Sequence, residues 1–323
     1  MQQTVKRWNK HDGTGIMSST TTPPLQGRPL IYGEVLFDIF PGEKKVLGGA
    51  PFNVAWHLQG FGLSPLLISC IGRDAEGQYV LDAMHNWGMD SSGIQRHAQY
   101  PTGGVEISMQ GTDHRFDIRA EQAYDYIDFE PLHDAVDDHK LSLIYQGSLI
   151  TRKPASRDTL QRLIVETQCP VFIDVNLRDP WWDATSVAGM LKAARWAKLN
   201  DGELATVIAG TAQTDDGLKR AASEALARFE LDAMVVTRGA EGAFITSAEE
   251  TVSGKPPAVE NLVDTVGAGD AFCAVTLYGL HQGWSASETI GRALAFASAV
   301  CEQRGATSRD REMYQRTLAS WGQ

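Results

Sequence analysis

The chain has 323 residues, 43% of them hydrophobic, and a formal net charge of −11. That length suits one large α/β domain with a well-filled core and a small appendage. The acidic balance, with no basic stripe and no alternation of aromatic and basic residues, argues against a nucleic-acid partner, and no apolar run reaches the roughly 18 residues that a membrane span needs. An acidic protein that handles anions has to gather positive potential locally, from backbone N–H groups, a few Arg or Lys, and a metal ion. Cys70, Cys169, Cys273 and Cys301 are widely spaced with no zinc pattern. With no secretory h-region either, reduced thiols in a cytoplasmic protein are expected.

Residues 1 to 28 are polar, rich in Thr, Gly and Pro, and show neither structural period, so they read as a disordered tail before a single domain over 29 to 323. Pro29 to Phe37 is an apolar run interrupted by Gly33-Glu34. It reads as a buried parallel strand, which puts Asp38 at the carboxyl end, where open parallel sheets bind ligands. Leu47 to Gln59 reads as a pivot at Gly48-Gly49, a Pro in the first helical turn, and a helix, with Asn53 positioned to meet a polyol hydroxyl. Pro65 to Ile71 is a second strand and Glu76 to Trp87 a helix closing at Gly88, the alternation of a parallel sheet.

Tyr100 to Asp128 breaks that alternation. Val105, Ile107 and Met109 alternate with polar neighbours, Gly111 to His114 turn the chain, and Phe116 and Ile118 alternate again. The pattern is a hairpin with one apolar face, which needs a further strand, and Phe37 to Val46 is the nearest. The expectation is a small β lid, built from segments about 37–47 and 99–119, that closes over the mouth of the sheet and excludes water. Its apolar face equally suits a homodimer. Leu141 to Tyr145 and Val171 to Val175 are further strands. Arg178, just past the latter, either meets a phosphate or covers Trp181 and Trp182. Asn200 and Glu203, after the strand Ala194 to Leu199, suit either water around Mg²⁺ or ordinary helix-start capping. Ala233 to Thr237 is a strand that runs into a turn containing Gly239 and Gly242, and a helix is expected from about Ala286 to Cys301. His57, His85, His97, His114, His133, His139 and His281 share no spacing and read as surface residues.

Val263 to Phe272 (Val-Asp-Thr-Val-Gly-Ala-Gly-Asp-Ala-Phe) joins a glycine turn to a helix over Ala271 to Gln282. Gly267 and Gly269 permit a positive φ and close approach of a ligand. The first N–H groups of the helix, at the positive end of its dipole, suit a phosphoryl group. Asp270 beside them has two readings, a helix cap or the acceptor of a proton from a hydroxyl that attacks phosphorus. No G-x-x-x-x-G-K-[ST] occurs, and the glycines lack the third member of a dinucleotide fingerprint.

Gly48 to Asn53 and Asp264 to Phe272, in that order, resemble the two signature segments of the PfkB/ribokinase family of carbohydrate kinases, and the likeness runs from about Leu30 to Ala306. The resemblance implies a ribokinase-like three-layer α/β/α sandwich with a mainly parallel central sheet and a small β-sheet lid, transferring the γ-phosphoryl of ATP to a sugar. It implies that Asp270 is the catalytic base and that the N–H groups of Gly267, Ala268 and Gly269 are the anion hole. Asp38, Gly49 and Asn53 match sugar positions, Thr102 and Gly103 a lid contact, and Asn176 with Arg178 an element near the phosphates. Asn200 and Glu203 match a motif tied to Mg²⁺, Thr237, Gly239 and Gly242 the nucleotide site. Asp264, Val266 and Gly305 fall where the family often holds a monovalent cation such as K⁺. Pro101 to Gly103, Ala123 to Ile127 and Asp174 to Arg178 are more similar to bacterial fructokinases than to ribokinases or adenosine kinases, although Asp179-Pro180-Trp181-Trp182 departs from the pattern. Fructose is the expected acceptor, with another sugar, a sugar acid, a nucleoside, or sugar and nucleotide binding without turnover as the alternatives.

Overall fold

The computed structural model describes residues 23–42, 44–110, 113–137 and 140–323. In chain order the strands are β1 (Arg28–Tyr32), β2 (Leu36–Phe40), β3 (Lys44–Gly48), β4 (Leu66–Gly72), β5 (Ile94–His97), β6 (Gly103–Gln110), β7 (Asp113–Ile118), β8 (Leu141–Gly147), β9 (Val171–Asp174), β10 (Trp196–Asn200), β11 (Ala233–Thr237), β12 (Ala243–Ser247) and β13 (Thr251–Gly254). The helices are α1 (Ala50–Gly60), α2 (Ala75–Trp87), α3 (His133–Asp137), α4 (Pro154–Thr167), α5 (Ala184–Ala193), α6 (Asp201–Val207), α7 (Asp215–Phe229), α8 (Ala268–Gln282), α9 (Ala286–Cys301) and α10 (Arg311–Ser320).

A nine-stranded sheet runs in the order β13-β12-β11-β10-β9-β8-β1-β4-β5. Its strands from β11 to β5 are parallel, and β12 and β13 add an antiparallel edge. Successive side chains leave opposite faces of a strand, and the central strands are apolar on both. Ile31, Tyr145 and Val235 therefore pack with α1, α2, α8, α9 and α10, while Leu30, Ile144 and Val236 pack with α4 to α7. The result is a three-layer α/β/α sandwich, the architecture that the resemblance implies.

The lid is a four-stranded sheet in the order β3-β2-β6-β7, with β2 and β6 parallel. The expected single strand from Pro29 to Phe37 is in fact two. At Gly33 the chain leaves the central sheet, its N–H bonded to Ile68 O at 3.1 Å, and beyond Glu34 it enters the lid. A Cβ on Gly33 would lie 2.1 Å from Pro51 Cγ, so only glycine lets the chain turn against α1. Asp38 consequently sits within lid strand β2, opposite Val46 and Val105, rather than just past a central strand. The expected turn residues Gly111 and Thr112 and most of the tail lie outside the described residues. Leu25 already packs against the core, and β1 starts at Arg28, one residue before the expected boundary.

Two histidines expected on the surface are buried. His281 lies between Ser142 Oγ at 2.8 Å and Leu277 O at 2.8 Å. His57, 0% exposed, sits between Tyr314 and Ala306. Its Nε2 has a carbonyl partner, Ala306 O at 3.0 Å, and must donate, which leaves Nδ1 to accept from the Tyr314 hydroxyl at 2.9 Å. Burial disfavours the imidazolium and lowers the pKa to about 4, so the ring is neutral in this tautomer. Tyr314→Phe removes that donor and strands Nδ1 in the core. It is expected to lower unfolding stability by about 1–3 kcal/mol in urea titration, and an unchanged midpoint would refute this assignment.

Candidate active site

At the start of α8, Gly267 is the N-cap, with φ +81°. A Cβ there would stand 2.3 Å from Ala306 Cβ, so both backbone conformation and space demand glycine. The Ala268 N–H, expected among the anion donors, is already bonded to Thr265 O at 3.3 Å and closes the turn. Gly267 and Gly269 N–H groups bond to no acceptor among the described residues and are the free donors of the turn. Beneath Gly269 lies Lys198, its Nζ 3.8 Å from where a Cβ would be. Lys198 is buried and forked to both oxygens of Asp174 at 2.8 Å. Burial opposes its charge, and Asp174 outweighs burial and holds the lysine protonated. Neither residue was singled out for this role from the sequence. The signal was a lysine inside the apolar strand Trp196–Asn200.

Asp270 stands in the first turn of α8 without capping it. Its Oδ2 accepts instead from Asn53 Nδ2 of α1, 217 residues away in the chain, at 2.7 Å. That contact removes the helix-cap reading. Desolvation pushes the Asp270 carboxyl up to about 6, and the Asn53 hydrogen bond pulls against it. Asp38 is likewise raised to about 6, chiefly by burial, with Arg178 opposing and Asp264 adding to the shift. Asp38 Oδ2 and Asn53 Oδ1 both approach Gly48, at 3.5 and 4.0 Å from the position of a Cβ, so the lid carboxylate and the helix amide face one space. Gly49, φ +103°, could carry no Cβ either, since Glu34 O would be 2.7 Å away.

Arg178 is exposed, and its charge is felt by Asp38, Glu34 and Asp270 together, so it overlooks the same space. It is Arg152, not Arg178, whose guanidinium covers Trp181, at 4.4 Å. Thr102 does not join the site. Its hydroxyl donates to Asp74 Oδ1 at 2.6 Å and accepts from Gly72 N at 2.9 Å, which ties the lid root to the cap of α2. Gly103 packs against Val35 O and the Tyr124 ring.

At the carboxyl ends of β10 and β11 the expected nucleotide residues line up in adjacent strands, Asn200 paired with Thr237. Asn200 and Glu203 form a reciprocal capping box, 2.8 Å in each direction, and the other Glu203 oxygen accepts from Leu177 N at 2.8 Å. Both Glu203 oxygens thus hold backbone N–H groups, which leaves their remaining lone pairs for water. Gly239 has φ +54° and open space around it, whereas Gly242, φ +92°, lies where a Cβ would strike Gly254 O at 2.1 Å. Asp264 joins the turn before α8 to the loop after α9, accepting from Val266 N at 3.0 Å and from Gly305 N at 3.1 Å. Asp264, Val266 and Gly305 are therefore together. No cluster of three or more His, Cys, Asp or Glu suited to a metal occurs among the described residues.

Because the Asn53 hydrogen bond favours the ionised Asp270, its loss should raise that carboxyl further. Asn53→Leu, which keeps water out, is expected to move the Asp270 titration above about 6 in carboxyl ¹³C NMR, and a downward or absent shift would contradict the arrangement.

The family model described as pfkB family carbohydrate kinase matches residues 39–312. A protein of Pyrococcus horikoshii named as a sugar kinase is 27% identical over 268 residues, 77% of this chain and 81% of its own. A 5-dehydro-2-deoxygluconokinase of Clostridium beijerinckii is 24% identical over 285 residues, covering 80% of this chain and 81% of the relative. Among solved structures, a fructokinase of Vibrio cholerae in fructose-, ADP- and calcium-bound form superposes with a TM-score of 0.73 at 23% identity, over 87% of this chain and 94% of that one. Glycine turn, buried lysine and amide-oriented aspartate thus sit in a fold shared with sugar kinases, and the chain belongs to the pfkB family of carbohydrate kinases.

Proposed function

We propose that this sugar kinase transfers the γ-phosphoryl of ATP to a primary hydroxyl of a small sugar, with fructose the first candidate. The observation that carries the reading is Asp270, directed by Asn53 across the open N-terminal turn of α8. The acceptor hydroxyl lies against Asp270, and Asp38 and Asn53 hold the neighbouring hydroxyls. Gly267 and Gly269 N–H groups, with Lys198 beneath them, offset charge on the transferred group. In a loose phosphoryl transition state the hydroxyl loses its proton late, so Asp270 contributes orientation more than basicity. Arg178, whose charge is felt by Asp38 and Asp270, is a further cation for the phosphates.

Mg²⁺ would fit as a hard ion held near Glu203 through water, and it would supply charge that neutralises the phosphates. Direct coordination by Glu203 fits poorly, because both its oxygens already serve the backbone. Asp264, Val266 and Gly305 are the place for a monovalent ion. A cytoplasmic homodimer paired through the lid completes the proposal.

The Vibrio fructokinase binds fructose and ADP, and the Clostridium relative is named for a sugar acid, so an acceptor panel in an ATP-consumption assay discriminates the readings. Asp270→Asn is expected to lower kcat by roughly two to four orders of magnitude and to leave ATP affinity unchanged. Near-normal turnover would sink the assignment. In the wild type kcat/KM should fall as pH drops through about 6, since the base must be ionised and burial has raised its pKa.

A further inference from the structure

Opposite Asp270, where β1 passes into the lid, a second group of buried polar side chains has no role in the chemistry above. Glu34 is 4% exposed and its Oε2 has no hydrogen-bond partner. Arg152, whose side chain is 1% exposed, is forked to Asp125 through Nε and Nη2, both at 2.7 Å, and Nη2 also donates to Arg119 O at 2.9 Å. Its guanidinium lies between the Tyr124 ring at 5.1 Å and the Trp181 ring at 4.4 Å, and Nη1 is left without an acceptor. Glu34 and Arg152 form no ion pair with each other among the described residues.

Leaving the Glu34 carboxyl oxygen and one nitrogen of the Arg152–Asp125 pair buried without partners is costly unless something completes them. Packing brings them to one place. Gly103 lies against both Val35 O, next to Glu34, and the Tyr124 ring, on which Arg152 rests. Each charge perturbs the other, and Glu34 also feels Asp270 and Arg178, so these groups are electrostatic neighbours. Asn53 Oδ1, beside Asp270, is unpartnered as well. A row of orphaned buried donors and acceptors is what a chain of hydroxyls would satisfy.

We infer that Glu34 and Arg152 form a subsite that grips one hydroxyl of the acceptor remote from the reacting carbon, and that the acceptor carries no charge there. An alcohol donates to Glu34 Oε2 and accepts from Arg152 Nη1 at once, and so completes both without adding charge. A phosphate or carboxylate would satisfy Arg152 alone. It would face Glu34 and Asp38, and it would meet a guanidinium whose charge Asp125 already offsets at 2.7 Å. The inference rests on the sugar-kinase reading and selects neutral polyols within it.

The test follows ATP consumption with D-fructose, D-ribose, fructose 6-phosphate and D-gluconate, which all offer a free primary alcohol. It then takes monodeoxy derivatives of the preferred probe, in the wild type, Glu34→Gln and Arg152→Lys. Neutral probes are expected to exceed the anionic ones at least about 10-fold in kcat/KM, and one monodeoxy derivative to lose about 10-fold or more, because it leaves buried groups unpaired. In Glu34→Gln, nearly isosteric and so expected to fold, KM for the parent sugar should rise about 10-fold with KM for ATP unchanged, and the deoxy penalty should shrink below about 3-fold. Preference for an anionic acceptor overturns the inference, as does a deoxy penalty that persists undiminished in both variants. Turnover with no probe at all overturns the sugar-kinase reading and this inference with it. Turnover without the deoxy signature removes only the subsite.

Discussion

The site depends on how closely two backbone segments approach at the start of α8. Gly267 lies so close to Ala306 that it has no room for a Cβ, and its left-handed φ likewise calls for glycine. The segment on the far side is anchored from α1. Trp56 Nε1 donates to Ser308 O at 2.8 Å, and His57 Nε2 donates to Ala306 O. The same helix presents Asn53 to Asp270. One rigid, buried helix therefore sets both the shape of the anion turn and the aim of the base, so orientation at the reacting atoms rests on core packing rather than on loops.

Electrostatics follows from that framework. An acidic chain must concentrate positive potential where it meets phosphate, and here the sources are two unpaired N–H groups, a helix terminus, Lys198 and Arg178. Lys198 is the buried member, kept ionised by Asp174, so the pair tempers the local field without cancelling it. The carboxylates around the acceptor space, Glu34, Asp38 and Asp270, are all raised by desolvation, to about 7, 6 and 6. Crowding three acids into dry space is destabilising in the free protein. A ligand rich in hydroxyls relieves it.

What was legible in the sequence had strong local signals. Ala233–Thr237 and Ala286–Cys301 fall on the expected bounds because a β-branched run and a capped amphipathic stretch each speak for themselves. The glycine turn and Asp270 were legible for the same reason. The break at Gly33-Glu34 was recognised but not its meaning, since apolar residues on either side hide a change of sheet. Helix α4 went unread because Ser156 and Thr159 occupy buried positions and blur its period. His57 was misassigned because its partners lie 249 and 257 residues away, beyond any local pattern. Thr102 matched a signature while its hydroxyl serves Asp74, and Glu34 and Arg152 matched none although the fold leaves them unsatisfied.

The roots of the lid share one further property. The strand leaving at Glu34 touches the returning strand at Gly49, and the third root, Gly103, touches Val35 O, each through a contact that excludes a side chain. Three of the four chain crossings between lid and frame are thereby drawn close together. Asp38 lies on the lid side of these crossings, while Asn53 and Asp270 belong to the frame. A molecule long enough to touch both would tie the small sheet to the large one, and a shorter one would reach a single side.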